Sequence, residues 1–196
     1  MPRSAVFPTL AAALVTVLAC NAAQAVDVRG GKDHPLIPRF SSATLVAYQA
    51  ADLDEATVIA KPLPDENKPE PGAILTIEGK VTRNGYVIED GKTAPKVMRS
   101  YERALRQANF ETIFECSGWA TCGEDLGRFI MNSHKMAPSG FPASFATTDR
   151  YILAKRETAH GTTHAVVLVM QDTPDGRVNV YQQVVETRTG SAAPAR

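Results

Sequence analysis

The side chains with the most evident chemistry are two cysteines, Cys116 and Cys122, which enclose the segment SGWAT. Such a pair could form a disulfide, contribute to a metal site or exchange thiols. The C-x-x-C spacing that tunes thiol reactivity is absent, which disfavours a redox role. In an oxidising compartment the pair predicts a structural disulfide that stabilises the fold by roughly 2 kcal/mol.

Two histidines, His160 and His164, could complete a metal site with these cysteines, since they form an H-x3-H pair. On a helix they would share a face, but Gly161 and the neighbouring threonines predict a turn and the start of a strand. The spacing between the cysteine pair and the histidine pair also matches no zinc-finger pattern. The sequence therefore predicts neither a metal nor a cofactor.

Four residues are candidates for a binding surface. Asp33, His34 and Arg39 form the best polar cluster, because two prolines stiffen the lead-in from Val26 to Phe40 that carries them. Charged residues beside prolines commonly fix turns, so a structural role is favoured over binding. Trp119, the only tryptophan, could be an exposed binding aromatic or pack beneath the disulfide, and packing is favoured.

No catalytic set accompanies these residues. The sequence lacks a G-x-S-x-G elbow, and Ser139-Gly140 follows no predicted strand. Gly30-Gly31 lacks the strand and helix that a phosphate loop requires. Lysine plus arginine and aspartate plus glutamate both number 21, with no basic patch, which excludes a nucleic-acid footprint. We therefore predict no catalytic residues, and an enzyme is not favoured.

The first 25 residues are typical of a secretory signal peptide. Arg3 supplies the positive start, an apolar run follows, and Ala23-Gln24-Ala25 is an A-x-A cleavage signal. Cys20 lies in a loose lipobox, so lipidation there is the minority alternative to cleavage after Ala25. The mature chain is expected to be exported to the periplasm, with no membrane span after cleavage.

The elements that must position these residues begin with strands. β-rich runs predict two short strands, Ala43 to Gln49 and Ala56 to Ala60, joined by a polar connector. Ala73 to Glu89 is also β-rich, but Asn84-Gly85 interrupts it. This dipeptide could form a hairpin turn or a bulge within one long strand.

A helix capped by Thr93 is predicted next, with an apolar face of residues 97, 101, 104, 105 and 108 and an end at Asn109. A short buried strand, a second helix over Gly123 to Met131 and a long loop follow, and then three strands in a meander. These strands are expected over Tyr151–Arg156, His164–Met170 and Val178–Val185. The order predicts an α+β fold, an antiparallel or mixed sheet with two helices packed on one face. One domain should span residues 26–188, followed by a disordered tail over 189–196.

The segments DVRGGKDHPLIPRF, IEGKVTRNGYVI, YERALRQANFETIFEC and VNVYQQVVET together resemble an uncharacterised domain of Gram-negative envelope proteins. The resemblance covers about Asp27 to Arg188, and KDHPL-x-x-R and E-G-K-V-T-R are its most specific parts. That domain usually stands behind a signal peptide and in front of an OmpA-like peptidoglycan-binding domain. The resemblance implies a periplasmic or outer-membrane-associated module, with no catalytic residues to carry over.

Two departures from the family pattern matter. At the position of Asn84-Gly85, the sequences of family members look like one uninterrupted strand. The resemblance therefore favours one long strand over a hairpin there. The chain ends where the peptidoglycan-binding domain would begin, so the resemblance does not imply anchoring to the cell wall. The leading hypothesis is a non-catalytic module that binds an envelope protein or glycan. The alternatives are a periplasmic small-molecule or lipid binder and, third, a hydrolase acting on envelope material.

Overall fold

The computed structural model describes residues 26–89, 91–132, 136–142, 149–171 and 176–189 of the 196-residue chain. The predicted signal peptide, the tail beyond Thr189 and parts of the predicted loop between residues 132 and 148 lie outside the described residues. Within the described ranges, no helix combines the length and apolar character needed to cross a membrane.

The fold is α+β, as predicted, and is built on one six-stranded antiparallel sheet. The strands lie in the order β1-β2-β6-β5-β4-β3, so the last three strands of the chain are neighbours, as the meander prediction required. The elements in chain order are β1 (Thr44–Ile59), β2 (Ile74–Ile88), α1 (Ala94–Gln107), β3 (Glu111–Ser117), α2 (Trp119–Cys122), α3 (Leu126–Asn132), β4 (Arg150–Thr158), β5 (Gly161–Gln171) and β6 (Val178–Arg188).

Both faces of the sheet are covered. Successive side chains of a strand alternate between faces, and on β4 Ile152 belongs to the same core cluster as α1, whereas Leu153 belongs to that of α3. The same alternation holds for Val167 and Leu168 of β5. The expected packing of two helices on one face is therefore not confirmed, because α1 and α3 lie over opposite faces. The reason is that β4 and β5 are apolar on both sides and need a layer on each.

Strand β1 corrects the prediction of two short strands. It runs unbroken for 16 residues, and the polar connector is part of it. Its pairing with β2 shifts register between Leu45 and Ala47 and again between Ala51 and Asp54, so β1 carries the extra residues of two bulges. Because β1 is an edge strand, polar side chains there can remain in water.

Strand β2 settles the question of Asn84-Gly85, since it is continuous across the dipeptide. Gly85 is needed for packing: a Cβ placed on it would lie 2.3 Å from the Phe141 ring. Gly85 therefore allows the 136–142 segment to approach β2 closely. The bulge opposite Gly85 belongs to β1.

Helix α1 lies where it was predicted, although the Thr93 side chain makes no capping hydrogen bond. It begins after Thr93 with a proline in the first turn, and it buries Val97, Met98, Tyr101 and Leu105. Asn109 adopts φ of 60°, the left-handed conformation expected at the stop. The strand that follows, β3, was expected to be buried, and this was wrong. Among the described strands β3 pairs with β4 alone, and Ile113 is 42% exposed.

Candidate functional site

The lead-in contains a tight ionic arrangement centred on Arg39. Its Nε donates to both carboxylate oxygens of Asp33, at 2.9 and 2.8 Å, and its Nη1 donates to Asp27 Oδ1 at 2.6 Å. Asp27 Oδ1 also accepts the backbone N–H of Leu45 at 2.9 Å. The guanidinium therefore joins two points of the lead-in to the first residues of β1.

The same arrangement is fastened to the sheet by Tyr86. Its hydroxyl donates to Asp33 Oδ1 at 3.0 Å and accepts from Asn84 Nδ2 at 2.6 Å. Asn84 Nδ2 also donates to the Lys32 carbonyl at 3.1 Å, and the Arg39 guanidinium lies 5.5 Å from the centroid of the Tyr86 ring. We call Asp27, Asp33, Arg39, Asn84 and Tyr86 the anchor cluster.

The electrostatics of the anchor cluster favour the charged forms of Asp27 and Arg39 and the neutral form of Tyr86. The hydrogen bond that Arg39 donates to the Asp27 carboxylate lowers the pKa of Asp27 and raises the pKa of Arg39. Burial raises the pKa of the Tyr86 hydroxyl. A carboxylate that accepts from a permanent cation and a phenol that stays protonated have little tendency to exchange protons near neutral pH. The cluster holds structure together and is poorly suited to acid-base chemistry.

His34 takes no part in the anchor cluster. Only 5% of it is exposed, its Nδ1 accepts the N–H of Leu36 at 3.4 Å, and its Nε2 lies 3.7 Å from Glu186 Oε2. Burial lowers its pKa, against an opposing effect of the Glu186 carboxylate. Lys80 Nζ lies 3.6 Å from the same Glu186 oxygen. The imidazole is therefore buried, and its Nε2 faces the Glu186 carboxylate.

Trp119 is remote from the lead-in. It opens α2, directly after β3, and is 50% exposed. Tyr86 is on β2, and four inter-strand steps of about 4.8 Å separate β2 from β3, which makes roughly 19 Å. The four candidate binding residues therefore divide into a contact pair, Asp33 and Arg39, a buried histidine and a separate tryptophan.

The predicted disulfide is present between Cys116 and Cys122. It joins the end of β3 to α2, and the chain is held there from the other side, since Leu63 N–H donates to the Cys122 carbonyl at 2.7 Å and Asp125 N–H donates to the Leu63 carbonyl at 3.0 Å. A shallow depression of about 170 Å³ lies beside it, lined by Trp119, Asp125 and Arg128 among others. Asp125 and Arg128, which both line it, form an ion pair with each other.

A second polar set lies on the opposite face of the sheet. Arg83, whose side chain is 3% exposed, donates to Gln183 Oε1 at 3.1 Å and to Asp54 Oδ2 at 2.8 Å. Gln183 Nε2 donates to the Thr57 carbonyl at 2.8 Å, and the Tyr181 hydroxyl donates to the Met136 carbonyl at 2.8 Å. These bonds tie β1, β2 and β6 together and hold the 136–142 segment on the sheet.

Sequence reasoning found Asp33 and Arg39 but missed the partners that explain them. Asp27 carried a usable signal, since it stands in the same lead-in, twelve residues before Arg39. Tyr86 and Asn84 carried none, because they reach Asp33 and Lys32 only through the fold, across more than 50 residues.

Two further depressions form one groove at the end of β6. Lys80, Glu186, Thr187 and Arg188 line both of them. The larger, of about 420 Å³, also contacts Leu53, which is 68% exposed at the second bulge of β1. The smaller, of about 240 Å³, extends to the turn between β4 and β5. We call this surface the β6 groove, and its lining carries both charge signs.

In the described part of the chain, no three His, Cys, Asp or Glu side chains come close enough to hold a metal ion. His160 lies in the turn between β4 and β5, and His164 lies on β5 with its Nδ1 buried and unbonded. Comparison with protein-family models and with curated proteins finds no match to the chain.

Proposed function

We propose that this protein is an exported, non-catalytic module of the cell envelope that binds another envelope component, a protein or a glycan, through its surface. The observation that carries the proposal is the state of the anchor cluster. Its charged groups are consumed in internal contacts that hold the lead-in on the sheet. The charged groups that the sequence favoured as a binding cluster are thus held in internal contacts and form no free acid-base pair.

Export to the periplasm, with outer-membrane association, is part of this proposal. Two features support it, the signal sequence and the disulfide, since disulfides persist in oxidising compartments. The intact mass of the protein recovered after expression tests it. Cleavage after Ala25 and the loss of two hydrogens at the cysteines are expected, whereas a diacylated Cys20 would make the protein a lipoprotein. An uncleaved chain with two free thiols would refute export.

The β6 groove is the surface that we assign to the partner. It is concave, it presents both charge signs, and Leu53 offers an exposed apolar contact at its edge. Charges of both signs, placed to oppose those of a partner, contribute specificity and suppress incorrect partners.

Affinity capture from envelope extracts of the producing organism tests the groove. The wild-type protein should recover a specific envelope component. Arg188→Glu should recover less of it, because the introduced carboxylate would repel the partner's negative group that Arg188 attracts. Arg99→Glu, on the exposed side of α1, is the matched control and should recover as much as the wild type. Recovery of no specific partner, or equal recovery by both variants, would contradict the assignment.

The hydrolase alternative has little support. A hydrolase using Asp33, His34 and Arg39 would need a free base beside a cleft. Here Asp33 is bonded to Arg39, and His34 is buried behind Glu186. A small-molecule binder has more support, from a depression between α1, β3 and β4 whose lining includes Glu102, Glu115 and Arg150. These charged side chains favour a polar ligand over a lipid.

A further inference from the structure

A depression of about 250 Å³ lies where α1 meets the edge of the sheet. Its wall contains Met98 and Glu102 from α1, Glu115 and Ser117 from β3, and Arg150 and Ile152 from β4. Ile152 belongs to the core cluster of α1, so the depression opens on the α1 face of the sheet. None of its lining residues belongs to the anchor cluster or to the β6 groove.

Arg150 is the unusual residue of this depression. Its Nε is buried and has no hydrogen-bond partner, and in the described part of the chain its guanidinium forms no ion pair. Arg39, Arg83 and Arg128, in contrast, are each paired with a carboxylate. A buried donor on a cation is unfavourable when it is left unbonded. The buried Nε lies beyond the reach of a ligand, but the two Nη nitrogens, which pair with none of the described residues, would bind a ligand carboxylate, because a guanidinium binds carboxylates through two parallel hydrogen bonds.

The acidic residues of the depression decide what else the ligand carries. Glu102 and Glu115 line the same space as Arg150 but are not paired with it. Their charges would repel a multiply charged anion such as phosphate, and would attract an ammonium group placed beside the carboxylate. The lining therefore favours a ligand with one negative and one positive group a short distance apart.

The size of the depression limits the ligand further. Pockets for drug-sized molecules occupy about 300–1,000 Å³, so a space of about 250 Å³ suits a smaller molecule. Met98 and Ile152 supply apolar contact for a short side chain. We propose that this depression binds a single α-amino acid as its zwitterion, with the carboxylate on Arg150 and the ammonium group on Glu102 and Glu115.

Titration calorimetry on the purified mature protein tests this assignment, with glycine, L-alanine and L-leucine as probes. N-acetyl-L-alanine lacks the ammonium group, L-alaninamide lacks the carboxylate, and both should bind at least about tenfold more weakly than L-alanine. L-alanyl-L-alanine, whose charged ends are farther apart, should also bind more weakly. Inorganic phosphate should not bind.

Variants separate the role of Arg150 from general effects of charge. Arg150→Gln should weaken L-alanine binding at least about tenfold. Glu115→Gln should also weaken it. Arg156→Gln, on the same strand, is the matched control and should leave binding unchanged. Because the Nε of Arg150 is buried without a hydrogen-bond partner among the described residues, Arg150→Gln should also leave the melting temperature of the free protein unchanged or higher.

Several results would overturn the proposal. They are absence of binding by all three amino acids, binding of phosphate or N-acetyl-L-alanine as tight as that of L-alanine, and tighter binding of the dipeptide. A melting temperature lowered by more than about 4 °C in Arg150→Gln would do so too, since it would show that the guanidinium is needed for stability. Calorimetry requires no envelope partner, so failure here and failure of the proposed function are distinguishable.

Discussion

Replacing Tyr86 with phenylalanine removes the hydroxyl that fastens the lead-in to the sheet. The aromatic ring, and thus nearly all of the side-chain volume, is retained. The hydroxyl donates to the Asp33 carboxylate at 3.0 Å and accepts from Asn84 Nδ2 at 2.6 Å, and Tyr86 is fully buried. A hydrogen bond to a charged group contributes about 1.5–3 kcal/mol. The Asp33 side chain is 36% exposed, so water can replace part of the lost bond. We therefore expect a loss of about 1.5–2 kcal/mol, or roughly 10- to 30-fold in the unfolding equilibrium.

Urea unfolding followed by far-UV circular dichroism measures this loss. The midpoint should fall while the slope m stays constant, because the surface exposed on unfolding does not change. Hydrogen exchange gives a local measure. The Val28 amide, which donates to the Leu45 carbonyl at 2.7 Å, should lose at least as much protection as the most protected amides of the sheet.

Tyr48→Phe is the matched control for this experiment. Tyr48 is half-buried against the same core cluster, and its hydroxyl makes no hydrogen bond within the described residues. Its replacement should change the unfolding free energy by less than about 0.5 kcal/mol. If Tyr86→Phe changed the unfolding free energy as little as Tyr48→Phe, with an unchanged m, the anchor cluster would not be what holds the lead-in in place. The structural role assigned to Asp33 and Arg39 would then be wrong.

Three further predictions concern packing, protonation and the disulfide. Gly85→Ala should lower the free energy of unfolding in urea by about 1–3 kcal/mol, because the new Cβ would meet the Phe141 ring. Adding Phe141→Leu to the same chain should recover part of this loss. If the effects of the two substitutions simply added, the contact between them would be contradicted. Burial lowers the pKa of His34, so its contribution is fully present above pH 6.5 and is lost as pH falls from 6.5 toward the folded-state value. Wild-type stability minus that of His34→Gln should decline over this window by at most about 1.4 kcal/mol per pH unit, and a rise would refute the assignment. Replacing both Cys116 and Cys122 with serine should lower stability by roughly 2 kcal/mol, and an unchanged melting temperature would show that the disulfide does not stabilise the fold.

The elements that were predicted well are those specified by neighbouring residues. Helix α1 has a Thr93 boundary, an apolar stripe at helical spacing and Asn109 as a left-handed stop, all within one short segment. The three final strands were found as apolar runs bounded by turns, and the structure only lengthens them. Local propensity and periodicity suffice for such elements, because their backbone geometry depends little on what packs against them.

The layout of the layers was missed, although a signal for it was present. The run AVVLVM in β5 is apolar without alternation, which is typical of a strand buried on both faces. A sheet of that kind needs a layer on each side, so the helices had to divide between the faces. The polar connector in β1 led to a prediction of two short strands where there is one. An edge strand tolerates polar residues that would interrupt a central strand.

The sequence by itself determined the class of the fold, the position of α1 and the pairing of Cys116 with Cys122, since these follow from composition, local spacing and the small number of cysteines. Only the tertiary structure decided which polar side chains are consumed internally and which stay open. Asp33 is occupied because the fold places the Tyr86 hydroxyl beside it. The Nε of Arg150 has no hydrogen-bond partner among the described residues, although Glu102 and Glu115 line the same depression. A side chain's hydrogen-bond partners depend on contacts across the whole chain, and no local pattern contains that information.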